Sequence, residues 1–167
     1  MIYEGPSGEY LNVDEITSNE NCYLLKEKRE SCLTLLWFEN DNSVIEIDNV
    51  RHKFKKNEVV FLTEFHNVVP VSVSEVKMIR FNRSFYCIVD HDSEVSCKGL
   101  LFFGANQLPI IGLREEELEK IQLLWKMFLL EMDSVDNLQL EMLQMMLKRF
   151  LILCTRVYKT NNLKNLK

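Results

Sequence analysis

The hydrophobic pattern of this chain of 167 residues changes its period near Leu113. Before that residue, short segments rich in β-branched and aromatic residues are separated by Asn- and Asp-containing turns, which predicts strands. Beyond it, apolar residues recur every three or four positions, which predicts helices. We therefore expect a mainly β fold with added α: a strand domain over residues 1–113 and a two-helix antiparallel hairpin over residues 114–160. Residues 161–167 are polar and aperiodic, and we expect them to begin a linker.

The strand domain is predicted from several segments within residues 20–103. They are residues 22–27, 32–38, 43–47, 50–54, 58–62, 68–73, 76–81, 85–89 and 100–103. Their even spacing predicts a sandwich, a jelly roll or a small barrel. The segment 32–38 is apolar on both of its faces, so we expect other layers to cover it on two sides.

The two predicted helices differ in how much apolar surface they carry. The first, residues 114–132, has one apolar seam, and Glu115, Glu116 and Glu117 lie in its first turn, where carboxylates suit the helix dipole. Asp136 is a plausible N-cap for the second helix. That helix, residues 138–158, is apolar nearly all round and carries two neighbouring seams. The first seam consists of Leu143, Met146, Phe150, Leu153 and Val157, and the second of Leu140, Leu147, Leu151, Cys154 and Tyr158.

Two explanations of this second helix are open: burial entirely within one chain, or burial partly against another subunit. A hairpin at the end of a small β domain has no large core around it. We therefore favour a homodimer formed through the C-terminal helices, with Leu143, Met146, Phe150, Leu153 and Val157 in the interface.

Composition and motifs argue against nucleic-acid binding, metal binding and catalysis. The net charge of −5 argues against a self-sufficient nucleic-acid binder. The five cysteines are scattered, which is typical of reduced thiols in the cytoplasm. Asp90-His91-Asp92 fits a turn better than a metal site, because neighbouring residues on an extended chain point to opposite faces. No nucleophile motif, phosphate loop or carboxylate couple stands out. We expect no enzyme, no catalytic residue, no cofactor and no metal.

The apolar runs of the sequence are too short to predict a membrane protein. No segment approaches the ~20 residues of a membrane span. Residues 1–6 have neither the basic nor the apolar region of a secretory signal. We therefore expect a cytoplasmic protein that does not enter a membrane.

The composition of the strand region also predicts a pocket for a small-molecule ligand. Its many aromatic residues are mostly core, but a few are expected to line an apolar cavity with polar anchors. The candidates for this pocket are Trp37, His66, Arg80 and Tyr86.

The order of strand block, helical hairpin and polar tail resembles the N-terminal regulatory region of AraC-family bacterial transcription regulators. Residues 55–66 look like the second half of a cupin barrel, with Asn57-Glu58 at the Gly-Asp position, Thr63 at the proline and His66 near the histidine. Residues 81–87, 99–104 and 140–156 look similar to a subgroup of these regulators. The resemblance covers about residues 20–160.

This resemblance implies a cupin-like β-barrel or jelly roll that binds a small-molecule effector, and a hairpin that joins two subunits. In the family, a pair of helix-turn-helix units follows the hairpin and binds DNA. Nothing follows Lys167 here, so we expect this chain to be part of a longer protein, reaching DNA only through a domain that it lacks.

Two other functions remain as alternatives. One is a metal-dependent cupin enzyme, but the HxH pair and glutamate of that motif are replaced by Lys26-Glu27-Lys28-Arg29-Glu30. The other is a regulator domain of the cyclic-nucleotide type, whose Gly-Glu and Arg-Ala phosphate signature is not recognisable in this sequence.

Overall fold

The computed structural model describes residues 1–17, 21–88, 99–102 and 107–164. The strands are β1 (Ile2–Glu4), β2 (Tyr10–Ile16), β3 (Cys32–Phe38), β4 (Ser43–Ile47), β5 (Val50–Phe54), β6 (Glu58–Leu62), β7 (Val68–Ser72), β8 (Val76–Asn82) and β9 (Ile110–Gly112). The helices are α1 (Tyr23–Lys26), α2 (Gly99–Phe102), α3 (Glu115–Met132) and α4 (Gln139–Lys164).

The strands form two antiparallel sheets. The larger sheet has the order β1-β2-β8-β3-β6-β9, and the smaller has the order β5-β4-β7. Among the residues that the structure describes, no strand of one sheet pairs with the other, so the two sheets do not close into a barrel. The prediction of a mainly β chain that ends in a two-helix hairpin is confirmed.

The larger sheet is the middle of three layers. One of its faces packs on the smaller sheet, where the rings of Phe38 and Phe54 stack with their centroids 4.1 Å apart. The other face packs on the hairpin, and Trp37 of β3 joins the same apolar cluster as Phe128 and Phe150. β3 is therefore apolar on both faces because it has a sheet on one side and helices on the other, as its sequence predicts.

Three segments that were predicted as strands have another structure. Residues 22–27 contain the one-turn helix α1, whose Leu25 packs against the cluster between the sheets. Residues 100–102 belong to α2, and residues 85–88 contain no strand. Val89 and Phe103 lie outside the described residues. A short apolar run is buried equally well in either form, so its periodicity does not separate strand from helix.

Strands β1, β2 and β9 were not predicted. β2 is informative because Asn12 and Asp14 lie on the same side of the strand as the buried Ile16. These polar residues interrupt the apolar alternation that marks a strand in sequence. Pairing with β8 from Leu11 to Ile16 makes this segment a strand although its local sequence does not predict one.

The hairpin has the predicted helices, with one extension and one correction. α4 continues through Lys164, so the helix includes part of the predicted linker. The Asp136 carboxylate accepts a hydrogen bond from the amide of Leu138 at 2.8 Å, in the turn that precedes the first residue of α4, Gln139, and its role as an N-cap stays a prediction. The correction concerns the premise that one chain cannot cover both seams of the second helix, because both are covered within this chain.

The predicted interface residues show this directly. Leu143, Met146, Phe150 and Val157 are buried in the single chain, and Leu153 is partly buried against the same cluster. The six-stranded sheet offers a broad apolar face, and α3 adds another wall, so the hairpin does have a large core around it. A dimer therefore needs other residues as its contact surface, and the dimer itself stays a prediction.

Candidate functional site

The space between the two sheets changes from apolar to polar along the strands. On β8 the inward-facing residues are Met78 and then Arg80, and on β3 they are Leu36 and then Thr34. The strand register places Arg80 opposite Thr34 on one side and opposite Asn12 of β2 on the other. One end of the sandwich therefore has a row of polar side chains where the other end has an apolar core.

Arg80 is the central residue of this polar row. Its side chain is held inside the fold, and the residue is only 5% exposed. Its Nε donates a hydrogen bond to Thr34 Oγ1 at 3.0 Å, whereas its buried Nη1 has no hydrogen-bond partner. Burial lowers the pKa of the guanidinium, and the negative charge of Glu27 opposes that effect. The group still carries its charge at neutral pH, so a buried cation is left incompletely paired.

A cavity of about 30 Å³ lies beside Arg80 at this end of the sandwich. Thr34, His66 and Arg80 contribute to its wall, together with α1 and the residues that follow it. His66 Nδ1 accepts the backbone amide of Thr63 at 2.9 Å. In a neutral ring that bond assigns the proton to Nε2, which makes this nitrogen a donor. The structure thus brings two of the four predicted ligand residues, His66 and Arg80, to one cavity.

A second, more apolar cleft of about 200 Å³ adjoins the first. The two share Cys32, Thr63 and Glu64 as lining residues. The remaining wall of the cleft includes Leu33, Phe65, Tyr86 and Ile88. Tyr86, the third predicted residue, therefore lines a neighbouring space and not the one that Arg80 faces.

Trp37, the fourth predicted residue, lies on the opposite face of the larger sheet. Its ring meets that of Trp125 edge to face, with the centroids 6.4 Å apart. Lys77 Nζ lies 4.9 Å from the Trp37 ring and 5.6 Å from the Trp125 ring, and it pairs with the carboxylate of Glu39. These contacts make Trp37 part of the junction between sheet and hairpin.

Two residues of the polar row, Asn12 and Thr34, were not predicted from the sequence. Thr34 did carry a signal, because it is a polar residue within the otherwise apolar segment Cys32–Phe38. Asn12 carried none, since β2 was not recognised as a strand. The basic residues Lys26, Lys28 and Arg29 of the cavity wall were noted only as a departure from the metal-binding motif.

The outer surface of the hairpin carries a second candidate site. Large apolar side chains are exposed there in two stripes of helical spacing that flank the turn between α3 and α4. They are Leu123, Met127 and Leu130 on α3, Val135 in the turn, Leu138 just before α4, and Met142 and Met145 on α4. Leu130 is 73% exposed and Val135 is 97% exposed. We call these seven residues the outer hairpin surface.

The described residues contain neither a cluster of metal ligands nor a membrane-spanning helix. In this part of the chain, no three His, Cys, Asp or Glu side chains converge as metal ligands would. Within the same ranges, no helix is long and apolar enough to cross a membrane. Asp90-His91-Asp92, Cys97 and part of the segment 99–104 lie outside the described residues.

Comparison with known proteins gives likenesses among solved structures but no matching family or curated protein. No protein-family model matches the chain, and no curated protein matches it. Among solved structures, the chain is similar to the crystal structure of the AraC-like transcriptional activator CuxR, with a TM-score of 0.44 and 8% sequence identity. The match covers 94% of this chain and 57% of that chain, so this chain spans little more than half of that protein's length.

Proposed function

We propose that this chain is the effector-binding and dimerisation domain of an AraC-type transcriptional regulator that acts in the cytoplasm. The order of its elements supports the class, since a strand domain precedes a helical hairpin as it does in that family's regulatory region. The chain would reach DNA only through an attached helix-turn-helix part, and it has no catalytic role.

The observation that carries the proposal is that two neighbouring strands line the inter-sheet cavity on one face and pack against the hairpin on the other. β3 and β8 direct Thr34 and Arg80 into the inter-sheet cavity on one face of the larger sheet. The same strands direct Trp37 and Phe81 into the cluster that holds the hairpin on the other face. An effector that moves these strands therefore acts directly on the layer that packs against the hairpin. If the effector binds one arrangement of sheet and hairpin more tightly than another, it increases the population of the arrangement that it prefers.

The outer hairpin surface is the part of the chain that we assign to the dimer. An exposed apolar surface of this kind marks an interaction site on a soluble protein. A second copy fits it because a twofold axis brings the same apolar patch from both subunits together. Such a dimer would present two attached DNA readers at a defined spacing, as paired half-sites require.

The dimer is tested with the double variant Leu130→Glu and Met142→Glu. Both side chains are exposed in the single chain, so the variant is expected to fold. Burying two unpaired carboxylates in an apolar contact should weaken association by at least about a hundredfold. Sedimentation velocity at micromolar concentration should show a dimer for the parent chain and a monomer for the variant.

Val71→Glu is the matched control, since it places the same charge on an exposed apolar residue of β7, far in sequence from the hairpin. It should leave the dimer intact. A parent chain that sediments as a monomer, or a dimer that survives the double variant, contradicts the assignment.

A further inference from the structure

The inter-sheet cavity is lined by hydrogen-bond donors. Arg80 Nη1 is buried, charged and without a partner. Thr34 Oγ1 accepts the bond from Arg80 Nε, which leaves the hydroxyl proton of Thr34 to donate elsewhere. The His66 ring accepts at Nδ1, so its Nε2 is a donor as well. A ligand that satisfies this set must supply acceptors, and a negative charge suits the buried guanidinium best.

The formal charges of the cavity wall point the same way. The wall has four cationic side chains and two carboxylates. The cations are Lys26, Lys28, Arg29 and Arg80, and the carboxylates are Glu27 and Glu64. Glu64 Oε2 accepts the amide of Ser31 at 2.6 Å and keeps its negative charge, and Arg29 pairs with Glu4 at 3.8 Å. The guanidinium of Arg29 packs over the Tyr10 ring, 3.7 Å from its centroid. The wall is therefore cationic on balance, and Arg80 is its most deeply buried charge.

The sizes of the two spaces restrict the shape of the ligand. The cavity beside Arg80 has room for one or two atoms the size of water, which suits the two oxygens of a carboxylate. The adjoining cleft of about 200 Å³ is mostly apolar and shares three wall residues with the cavity. A ligand that occupies both spaces has a compact charged end joined to an apolar body.

We infer that this site binds a small carboxylate with an apolar body, with the carboxylate paired to Arg80 and the body in the cleft beside Tyr86. The inference rests on the proposed function, because it names the chemical class of the effector at the same site. Arg80 is a binding residue in this assignment, and Thr34 positions its guanidinium.

The test compares carboxylates with their neutral amides. Benzoate and butyrate, each paired with benzamide and butyramide, are titrated against the full 167-residue chain while its thermal unfolding is monitored. A carboxylate at about 100 times its Kd should raise the Tm by roughly 5–10 °C, and the matched amide should not. Isothermal titration of the same pairs then gives the affinities.

Three variants separate binding from folding. Arg80→Met removes the buried charge and leaves a shorter, unbranched apolar side chain, so the free protein should be at least as stable and the carboxylate should no longer raise the Tm. Thr34→Val keeps the fold and should weaken carboxylate binding about tenfold. Arg51→Met alters an exposed arginine of β5 and should change neither property.

The inference is overturned if no carboxylate raises the Tm, or if the rise persists in Arg80→Met. Asn12 Oδ1, the cross-strand neighbour of Arg80, is also buried without a partner, so a single water bridging the two would explain such a result. That failure is distinct from failure of the proposed function. A neutral metabolite that stabilises a dimeric chain would leave the sensing role standing, whereas a chain that stays monomeric would not.

Discussion

Asn57 shows how much of this fold depends on one residue. Its φ of 66° lies in the left-handed region, which Asn tolerates better than most residues. Its amide donates to the carbonyl of Phe38 at 2.7 Å, and its carbonyl accepts from Leu113 at 2.9 Å. Its side-chain oxygen accepts from Trp37 Nε1 at 3.4 Å. The residue therefore connects the end of β3 with the start of β6 and the segment that leads into the hairpin.

Replacing Asn57 separates backbone strain from side-chain bonding. Asn57→Ala should lower the free energy of unfolding by about 2–3 kcal/mol, of which about 1–2 comes from the left-handed backbone and about 1 from the lost hydrogen bond. Asn57→Gly removes the strain of the left-handed backbone and should lower the free energy of unfolding by no more than about 1 kcal/mol. Urea denaturation followed by tryptophan fluorescence measures both.

Asn42→Ala is the control for this pair, because Asn42 lies in an exposed turn and its φ is not positive. This substitution should change the free energy of unfolding by no more than about 0.5 kcal/mol. Equal losses for Asn57→Ala and Asn57→Gly would show that the backbone conformation contributes nothing.

At the scale of elements, the contact between α3 and the larger sheet holds the hairpin in place. Trp125 is buried against Trp37, and its Nε1 donates to Glu15 Oε1 at 3.3 Å. Lys77 lies beside both rings and pairs with Glu39. The indole thus joins α3 to β2 and β3 at one point, and the cation adds a favourable charge–ring contact.

Trp125→Ala should loosen this contact more than any exposed change on the same helix. Loss of a large buried ring typically lowers the free energy of unfolding by about 3–5 kcal/mol. Chemical denaturation, read by circular dichroism at a helical wavelength, measures the change. Glu119→Ala, an exposed residue of α3, should stay within about 0.5 kcal/mol. Similar costs for the two variants would contradict the role given to Trp125.

At the scale of the whole molecule, one apolar cluster runs across the predicted boundary at residue 113. It contains Phe61 and Phe81 from the strands as well as Phe128 and Phe150 from the hairpin. The division into residues 1–113 and 114–160 stays a prediction, but the two parts share this core. Removal of the hairpin would expose one whole apolar face of the larger sheet to water.

A fragment of residues 1–113 should therefore fail to unfold cooperatively and should self-associate. Residues 1–160 keep both seams of α4 and should behave like the full chain. Size-exclusion chromatography and urea denaturation compare the two fragments. A monomeric fragment 1–113 with a sharp unfolding transition would support an independent strand domain.

The sequence by itself determined the features that depend on local periodicity. The strands from β3 to β8 and the first helix of the hairpin were predicted with nearly their observed bounds, because turns separate the strands and apolar residues recur at helical spacing in the helix. The second helix was predicted to end at residue 158, whereas α4 continues through Lys164. The two-sided covering of β3 was also predicted, since both of its faces are apolar. Of the four residues predicted for one ligand pocket, Arg80 and His66 line the inter-sheet cavity and Trp37 and Tyr86 do not, and binding of a ligand there stays a prediction.

Only the tertiary structure decided which surfaces are buried and which are free. Periodicity identifies the apolar seams of α4, but whether the sheet or a second subunit covers them depends on the area of sheet available, which is a property of strands distant in sequence. The same holds for Asn12, which faces Arg80 through β2–β8 pairing that no local pattern indicates. The outer hairpin surface and the incompletely paired guanidinium of Arg80 have the same origin, because each is left over after long-range packing has covered the other groups.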